Sequence, residues 1–191
     1  VVTGYRRELL VGYGLVEFHN ARWSETNMVS SLSCAQEWLQ AGPCIVSYSD
    51  IFYSAAAVKS LMDDAGELAL TYDPNWLELW TERFGDPLLD AETFRLGPDQ
   101  TLSEIGNKPN SVDEVQGQYM GLLRFTPGGW EEVLRIRKAL SLAECDKMHM
   151  TGTLQRVLEA GNLSIRALPY WGEWGEVDSV DDLALYKSQT N

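Results

Sequence analysis

Apolar and polar positions along the chain fall into two alternating rhythms. Met28, Leu32, Ala35 and Leu39 are spaced for one face of a helix, predicted over Thr26 to Leu39 and stopped by Gly42-Pro43. Cys44 to Tyr48 is a near-continuous apolar run, as in a strand covered on both faces, and it ends at Ser49-Asp50. A helix over Ser54 to Met62 and a strand over Leu68 to Tyr72 follow. Leu15 to His19 reads as a short strand. Val1, Val2 and Thr3, before a turn at Gly4, read as the end of a buried strand, so the chain is expected to open inside a fold. Strands alternating with helices predict an α/β protein with a parallel sheet.

The middle of the chain changes character. Trp76 and Trp80 stand one helical turn apart in a segment rich in Trp, Pro and charge. Glu92 to Leu96, a Gly97-Pro98-Asp99 turn and Leu102 to Ile105 predict a β-hairpin. A strand over Gln118 to Phe125 follows. Gly128-Gly129 opens a helix carrying Trp130, Val133 and Leu134 on one face, and a second helix covers Thr151 to Ala160. Ile165 to Tyr170 reads as a strand and Val180 to Lys187 as a closing helix. No repeat or linker divides the sequence, so residues 1–191 read as one domain.

Charge narrows the partners. The 191 residues carry 15 Lys+Arg against 28 Asp+Glu, a formal net charge of -13. Nucleic acid and anionic membrane surfaces demand basic patches, so neither is the expected partner. An anionic substrate needs a metal ion or a local cluster of cations. No apolar run reaches the length of a membrane span. Cys34, Cys44 and Cys145 are odd in number and widely spaced, which predicts free thiols in a reducing compartment, the cytoplasm, and gives no support to a zinc site.

In a doubly wound sheet the ligand binds at the carboxyl ends of the strands. Asp50 and Asp178 each lie between a predicted strand and a predicted helix, where a carboxylate either holds a hard cation over a phosphate or caps the helix. Trp76 and Trp80 with Glu78, and Trp171 and Trp174 with Glu173 and Glu176, offer aromatic faces and carboxylates for a cationic group, although aromatics at helical spacing also build cores. His149, in Met148-His149-Met150, reads as a partly buried, hydrogen-bonded histidine, because nothing spaced like a metal ligand surrounds it.

Six short segments together resemble the sugar-phosphate nucleotidyltransferases, and most closely the phosphocholine cytidylyltransferase-like branch. They are Val1 to Tyr5, Asn20 to Trp23 with Thr26 to Leu32, Ser47 to Asp50, Glu104-Ile105 with Lys108-Pro109, Gly117 to Gly121, and Trp174 to Asp178 with Asp181 to Leu183. They cover nearly the whole chain in the family's order. The resemblance implies a Rossmann-like, mostly parallel sheet flanked by helices, the nucleotide-diphospho-sugar transferase type. It also implies that the first strand and the Gly-rich loop, which bears an Arg and a Lys, are missing here, so the domain reads as truncated at its N-terminus, with a fused or partner domain upstream left open.

The resemblance implies the chemistry too. A phosphate or phosphonate oxygen attacks the α-phosphorus of CTP or another nucleoside triphosphate, and pyrophosphate leaves. The nucleophile is already an anion, so no general base is required, and catalysis is positioning plus charge neutralisation. By resemblance Asp50 and Asp178 would hold Mg²⁺, Lys108 would neutralise the attacking phosphate, and Thr26 and Asn27 would touch the nucleotide. The acceptor is expected to be phosphocholine, 2-aminoethylphosphonate or a similar small molecule, met by Trp76, Trp80, Tyr119, Trp174 and Glu176. Two other readings stand beside this one. A sugar-1-phosphate nucleotidyltransferase or related glycosyltransferase is disfavoured in its second form, because Ser47-Tyr48-Ser49-Asp50 supplies one Asp where Asp-x-Asp is usual. A binding domain that has lost its Gly-rich loop would turn over nothing.

Overall fold

The computed structural model describes residues 1–189. Strands β1 (Val2–Thr3) and β2 (Phe18–His19) form a short parallel pair with Val2 opposite Phe18. The predicted helix over Thr26 to Leu39 is broken into α1 (Met28–Leu32), a 3₁₀ turn at Ser33–Ala35 and α2 (Gln36–Ala41). Ser33 marks the break. Its hydroxyl donates to the Val29 carbonyl at 2.8 Å, and serine back-bonding of this kind bends helices. Val29, Leu32 and Leu39 still reach the core.

Strand β3 (Cys44–Ser47) is followed by a strand absent from the sequence pattern, β4 (Ile51–Tyr53). Helix α3 (Ala55–Asp63) starts at the Ser54 cap and leads to β5 (Leu68–Asp73), which is buried along its whole length. Helix α4 (Trp76–Phe84) and the hairpin of β6 (Phe94–Leu96) and β7 (Leu102–Ile105) come next. Strand β8 (Gln118–Phe125) precedes α5 (Pro127–Lys138), α6 (Leu142–Asp146) and α7 (Met150–Ala160). Strands β9 (Ile165–Pro169) and β10 (Trp174–Glu176) and helix α8 (Val180–Gln189) close the described chain.

The central sheet has the order β3-β8-β5-β9. Strand β8 is antiparallel to both of its neighbours, while β5 and β9 are parallel, so β3, β5 and β9 share one direction and β8 opposes them. Parallel neighbours need a crossover, usually a helix, whereas β8 is entered from a hairpin excursion. Leu68, Ala69, Leu70, Leu122, Leu123 and Phe125 are fully buried within one hydrophobic core. No described helix is long and apolar enough to cross a membrane.

Two features position the site. Among the described residues β3 pairs on one side only, and a cleft of about 350 Å³ opens beside it, lined by Val1, Val2, Met28, Leu32, Val46 and the segment Tyr48 to Asp50. Strands β4 and β10 form their own antiparallel ladder, with Ile51 opposite Glu176.

Candidate active site

The β4–β10 ladder brings the two predicted aspartates together. The Val177 amide donates to the Asp50 carbonyl at 2.9 Å, one residue beyond the Ile51–Glu176 pair, so Asp50 and Asp178 leave neighbouring strands side by side. The cap expected as the other use of each aspartate falls to a nearby serine. Ser54 Oγ accepts from the Ala56 amide at the start of α3, and Ser179 Oγ accepts from the Asp182 amide at the start of α8. Asp50 is exposed on the rim of the cleft, and Asp178 is half exposed.

Glu176 completes an acidic group. Burial, then the charge of Asp178, raise its carboxyl to about 7, against the pull of Arg83 and with a further push from Asp50. Three carboxylates therefore share one field with a single arginine. Among the described residues no three His, Cys, Asp or Glu side chains form a complete metal cage. Two adjacent carboxylate ligands nonetheless suit a hard divalent cation that takes its remaining ligands from phosphate oxygens and water.

Asn20, a buried residue of the Asn20-Ala21-Arg22-Trp23 segment, organises the approach to α1. Its Nδ2 donates to Thr26 Oγ1 at 2.8 Å and to Ser31 Oγ at 2.9 Å, while its Oδ1 accepts from the Arg22 amide at 3.0 Å. Thr26 is thereby tied to Asn20 and to the Arg22 carbonyl. Asn27 caps α1 through its Oδ1, and its Nδ2 lies 3.0 Å from His149 Nε2. His149 is exposed at the start of α7, where a partly buried position was expected.

Lys108 is engaged by backbone carbonyls. Its Nζ donates to the carbonyls of Leu88 and Leu89 and fastens the turn after α4. Three of the expected cation-binding tryptophans are structural. Trp76 and Trp80 are closed into the core, with Trp76 Nε1 donating to the Val115 carbonyl. The helical spacing sets both rings on one face of α4, and packing against Trp174, Phe84 and Val115 turns that face inward. Trp174 stacks on Trp80 with ring centroids 6.1 Å apart and donates to Asp73 Oδ2 at 2.9 Å. Trp171 is the one that presents its ring to solvent, at 68% exposure, beside an acid-lined cleft of about 290 Å³ that includes Glu78 and Glu173. Tyr119 meets Tyr48 edge-on at 5.9 Å, and burial, followed by the field of Tyr48, holds its hydroxyl well above the usual phenol range.

Arg83 carries no sequence motif, yet it reaches β10, the loop after it and α8. Its guanidinium is fully buried and reaches Asp182 Oδ1 at 2.9 Å, Asp178 Oδ2 at 3.0 Å and Glu176 Oε2 at 3.2 Å. The signal available in sequence is thin: a basic residue amid Glu78, Glu82 and Asp86, flanked by Trp80 and Phe84.

Over 97% of its length the chain is 33% identical to a CTP:phosphoglutamine cytidylyltransferase of Campylobacter jejuni, 79% of which it covers. The chain belongs to the nucleotidyltransferase family. This nucleotidyltransferase also shares its fold with solved structures at low identity. The inositol-1-phosphate CTP transferase of T. maritima superposes with a TM-score of 0.72 at 14% identity, over 98% of this chain and 73% of that one. A Bacillus anthracis protein assigned as a glucose-1-phosphate thymidylyltransferase gives 0.68 at 12% identity, over 93% of this chain and 66% of that one. No family model matches the sequence.

Proposed function

We propose that this nucleotidyltransferase is a cytidylyltransferase, moving a cytidylyl group from CTP to a small phosphorylated acceptor that bears a cationic nitrogen. The observation that carries this reading is the identity to a CTP:phosphoglutamine cytidylyltransferase across nearly the whole chain. Glutamine, phosphocholine and 2-aminoethylphosphonate all combine an amine or quaternary ammonium with a phosphoryl group once phosphorylated or as they stand. The carboxylate surplus favours such a cation over a neutral sugar.

In this reading an acceptor phosphoryl oxygen attacks the α-phosphorus of CTP, the bond to the bridging oxygen breaks, and pyrophosphate leaves. The acceptor oxygen is already anionic, so the chain supplies orientation and charge balance. Asp50 and Asp178 would hold Mg²⁺, which neutralises phosphate charge when bound. Glu176 would face the acceptor's cation, and Trp171, the exposed tryptophan, takes over the aromatic role first expected of Trp76 and Trp80. Asn27 would face the nucleotide from the start of α1.

The test is pyrophosphate release by the full protein with CTP and phosphocholine, 2-aminoethylphosphonate, phosphoglutamine or glucose 1-phosphate, singly and in competition, with products read by mass. Release should need an acceptor. The amine-bearing acceptors should lead glucose 1-phosphate by at least about tenfold in kcat/KM, or about 1.4 kcal/mol. Asp50→Ala and Asp178→Ala should each lower kcat by at least about a hundredfold, or about 2.7 kcal/mol. A predominant sugar-nucleotide product would remove the cationic acceptor and keep nucleotidyl transfer. Near-normal turnover in either aspartate variant would remove the metal assignment.

A further inference from the structure

Among the described residues Arg83 is a buried cation that faces the acidic group. The guanidinium has no exposed surface. Its Nε donates to Asp182 Oδ1 at 2.9 Å, Nη1 to Glu176 Oε2 at 3.2 Å, and Nη2 to Asp178 Oδ2 at 3.0 Å. Behind these contacts the rings of Trp80 and Phe84 lie 5.0 Å and 4.8 Å from its central carbon. The donors of a guanidinium radiate in a fixed plane, so three acceptors at three angles are held at once.

The backbone of the same loop is fixed separately. Asp182 Oδ2 accepts from the amides of Asp178 at 3.1 Å and Ser179 at 2.9 Å, and from Ser179 Oγ at 2.8 Å. Asp178 is thus held by its amide through Asp182 and by one carboxylate oxygen through Arg83. Asp182 in turn is oriented by Arg83. The arginine joins α4 to both β10 and α8, at a separation of 93 to 99 residues along the chain.

We propose that Arg83 is a positioning residue for the metal site: its guanidinium fork fixes the carboxylate of Asp178 beside Asp50 and orients Glu176 next to it, so that the aspartate pair presents a preformed seat for one divalent cation. This rests on the reading of Asp50 and Asp178 as the metal-binding pair. Two physical effects oppose each other here. A positive charge on the outer side of a ligand weakens the pull on a cation. Freeing the ligand costs order, and leaves three carboxylates to repel one another and swing the loop outward. The second effect dominates, because Arg83 is buried and engages Asp178 through one oxygen only, and because outer-sphere partners that orient a ligand raise metal affinity by about 10- to 100-fold.

The experiment is Mn²⁺ binding to the full protein, followed by electron paramagnetic resonance, with thermal unfolding of the same samples. Arg83→Lys keeps the charge and loses the fork, and should raise the Mn²⁺ Kd by about tenfold or more. Phe84→Leu removes one supporting ring and keeps the charge, and should raise Kd by about threefold, less than the loss of the fork does. Leu154→Ala, in the core on α7, should lower Tm and leave Kd unchanged. A role in stability alone predicts that Arg83→Lys behaves like Leu154→Ala, and a Kd within twofold of the parent would overturn the proposal. If Arg83→Lys does not fold, an unchanged Kd in Phe84→Leu overturns it equally. Asp178→Ala separates the two levels: if it binds Mn²⁺ as the parent does, the metal reading fails and Arg83 falls with it. If binding is lost there and kept in Arg83→Lys, only the role of Arg83 fails.

Discussion

Trp174 tests whether a tryptophan beside the site is scaffold or substrate contact. Its indole is 6% exposed, and Nε1 donates to Asp73 Oδ2 at 2.9 Å. Asp73 is itself 7% exposed, and its other oxygen accepts from the Asn75 amide at 2.7 Å. Trp174→Phe leaves one oxygen of a buried carboxylate without its donor, which costs about 1.5–3 kcal/mol for a bond to a charged group. The smaller ring loses contact with Trp80 and leaves a small cavity, adding about 1 kcal/mol. A loss near 3 kcal/mol should lower Tm by about 6–12 °C in a domain of this size. The assay is thermal unfolding of parent and variant, with acceptor KM measured well below either transition. The KM should stay within threefold of the parent, because the indole faces protein. The double variant Asp73→Asn/Trp174→Phe should lose less than the two single changes combined, by at least about 1 kcal/mol of coupling, since the stranded carboxylate is gone. An unchanged Tm with a tenfold higher acceptor KM would show that Trp174 touches substrate and would refute this account.

Two further outcomes follow from the geometry around Tyr48 and Glu92. Gly121 has φ of +76°, and a β-carbon there would stand 2.9 Å from the Tyr48 ring, so Gly121→Ala should cost about 2–3 kcal/mol in urea unfolding. A loss below 0.5 kcal/mol, about the size of an ordinary surface change, would mean that β8 tolerates the side chain without moving Tyr48. Burial raises the Glu92 carboxyl, against a hydrogen bond from Thr151 and the field of His149, with Asp90 pushing the same way as burial. Both folded and unfolded states hold the proton below the ordinary carboxylate range. As pH rises through that range the unfolded state releases it first, so Glu92 costs the fold increasing stability until its own raised pKa is passed. Stability of Glu92→Gln relative to the parent should therefore climb as pH rises through the ordinary carboxylate range and level off above the raised pKa of Glu92, read in paired unfolding curves, and a pH-independent difference would refute the assignment.

Local periodicity carried most of the elements, because helix and strand formation depend on which side chains recur at which spacing. The strand at Cys44, the helix after Ser54 and the β6–β7 hairpin were legible for that reason. The six short segments, read together, also carried the family. Asp50 and Asp178 could be placed after strands and before helices, but their meeting could not be read. It depends on β4 and β10, three-residue strands too short to show a period, which pair across more than a hundred residues. Whether an aspartate caps a helix depends on competition with neighbours, and Ser54 and Ser179 take that role here. Trp76 and Trp80 have the spacing of one helix face, and spacing alone does not tell whether the face turns to a ligand or to the core; packing against Trp174, Phe84 and Val115 decided it. Arg83 was beyond sequence for the same reason: an isolated arginine reads as a solvated charge until tertiary structure buries it among three carboxylates drawn from a distant strand and helix.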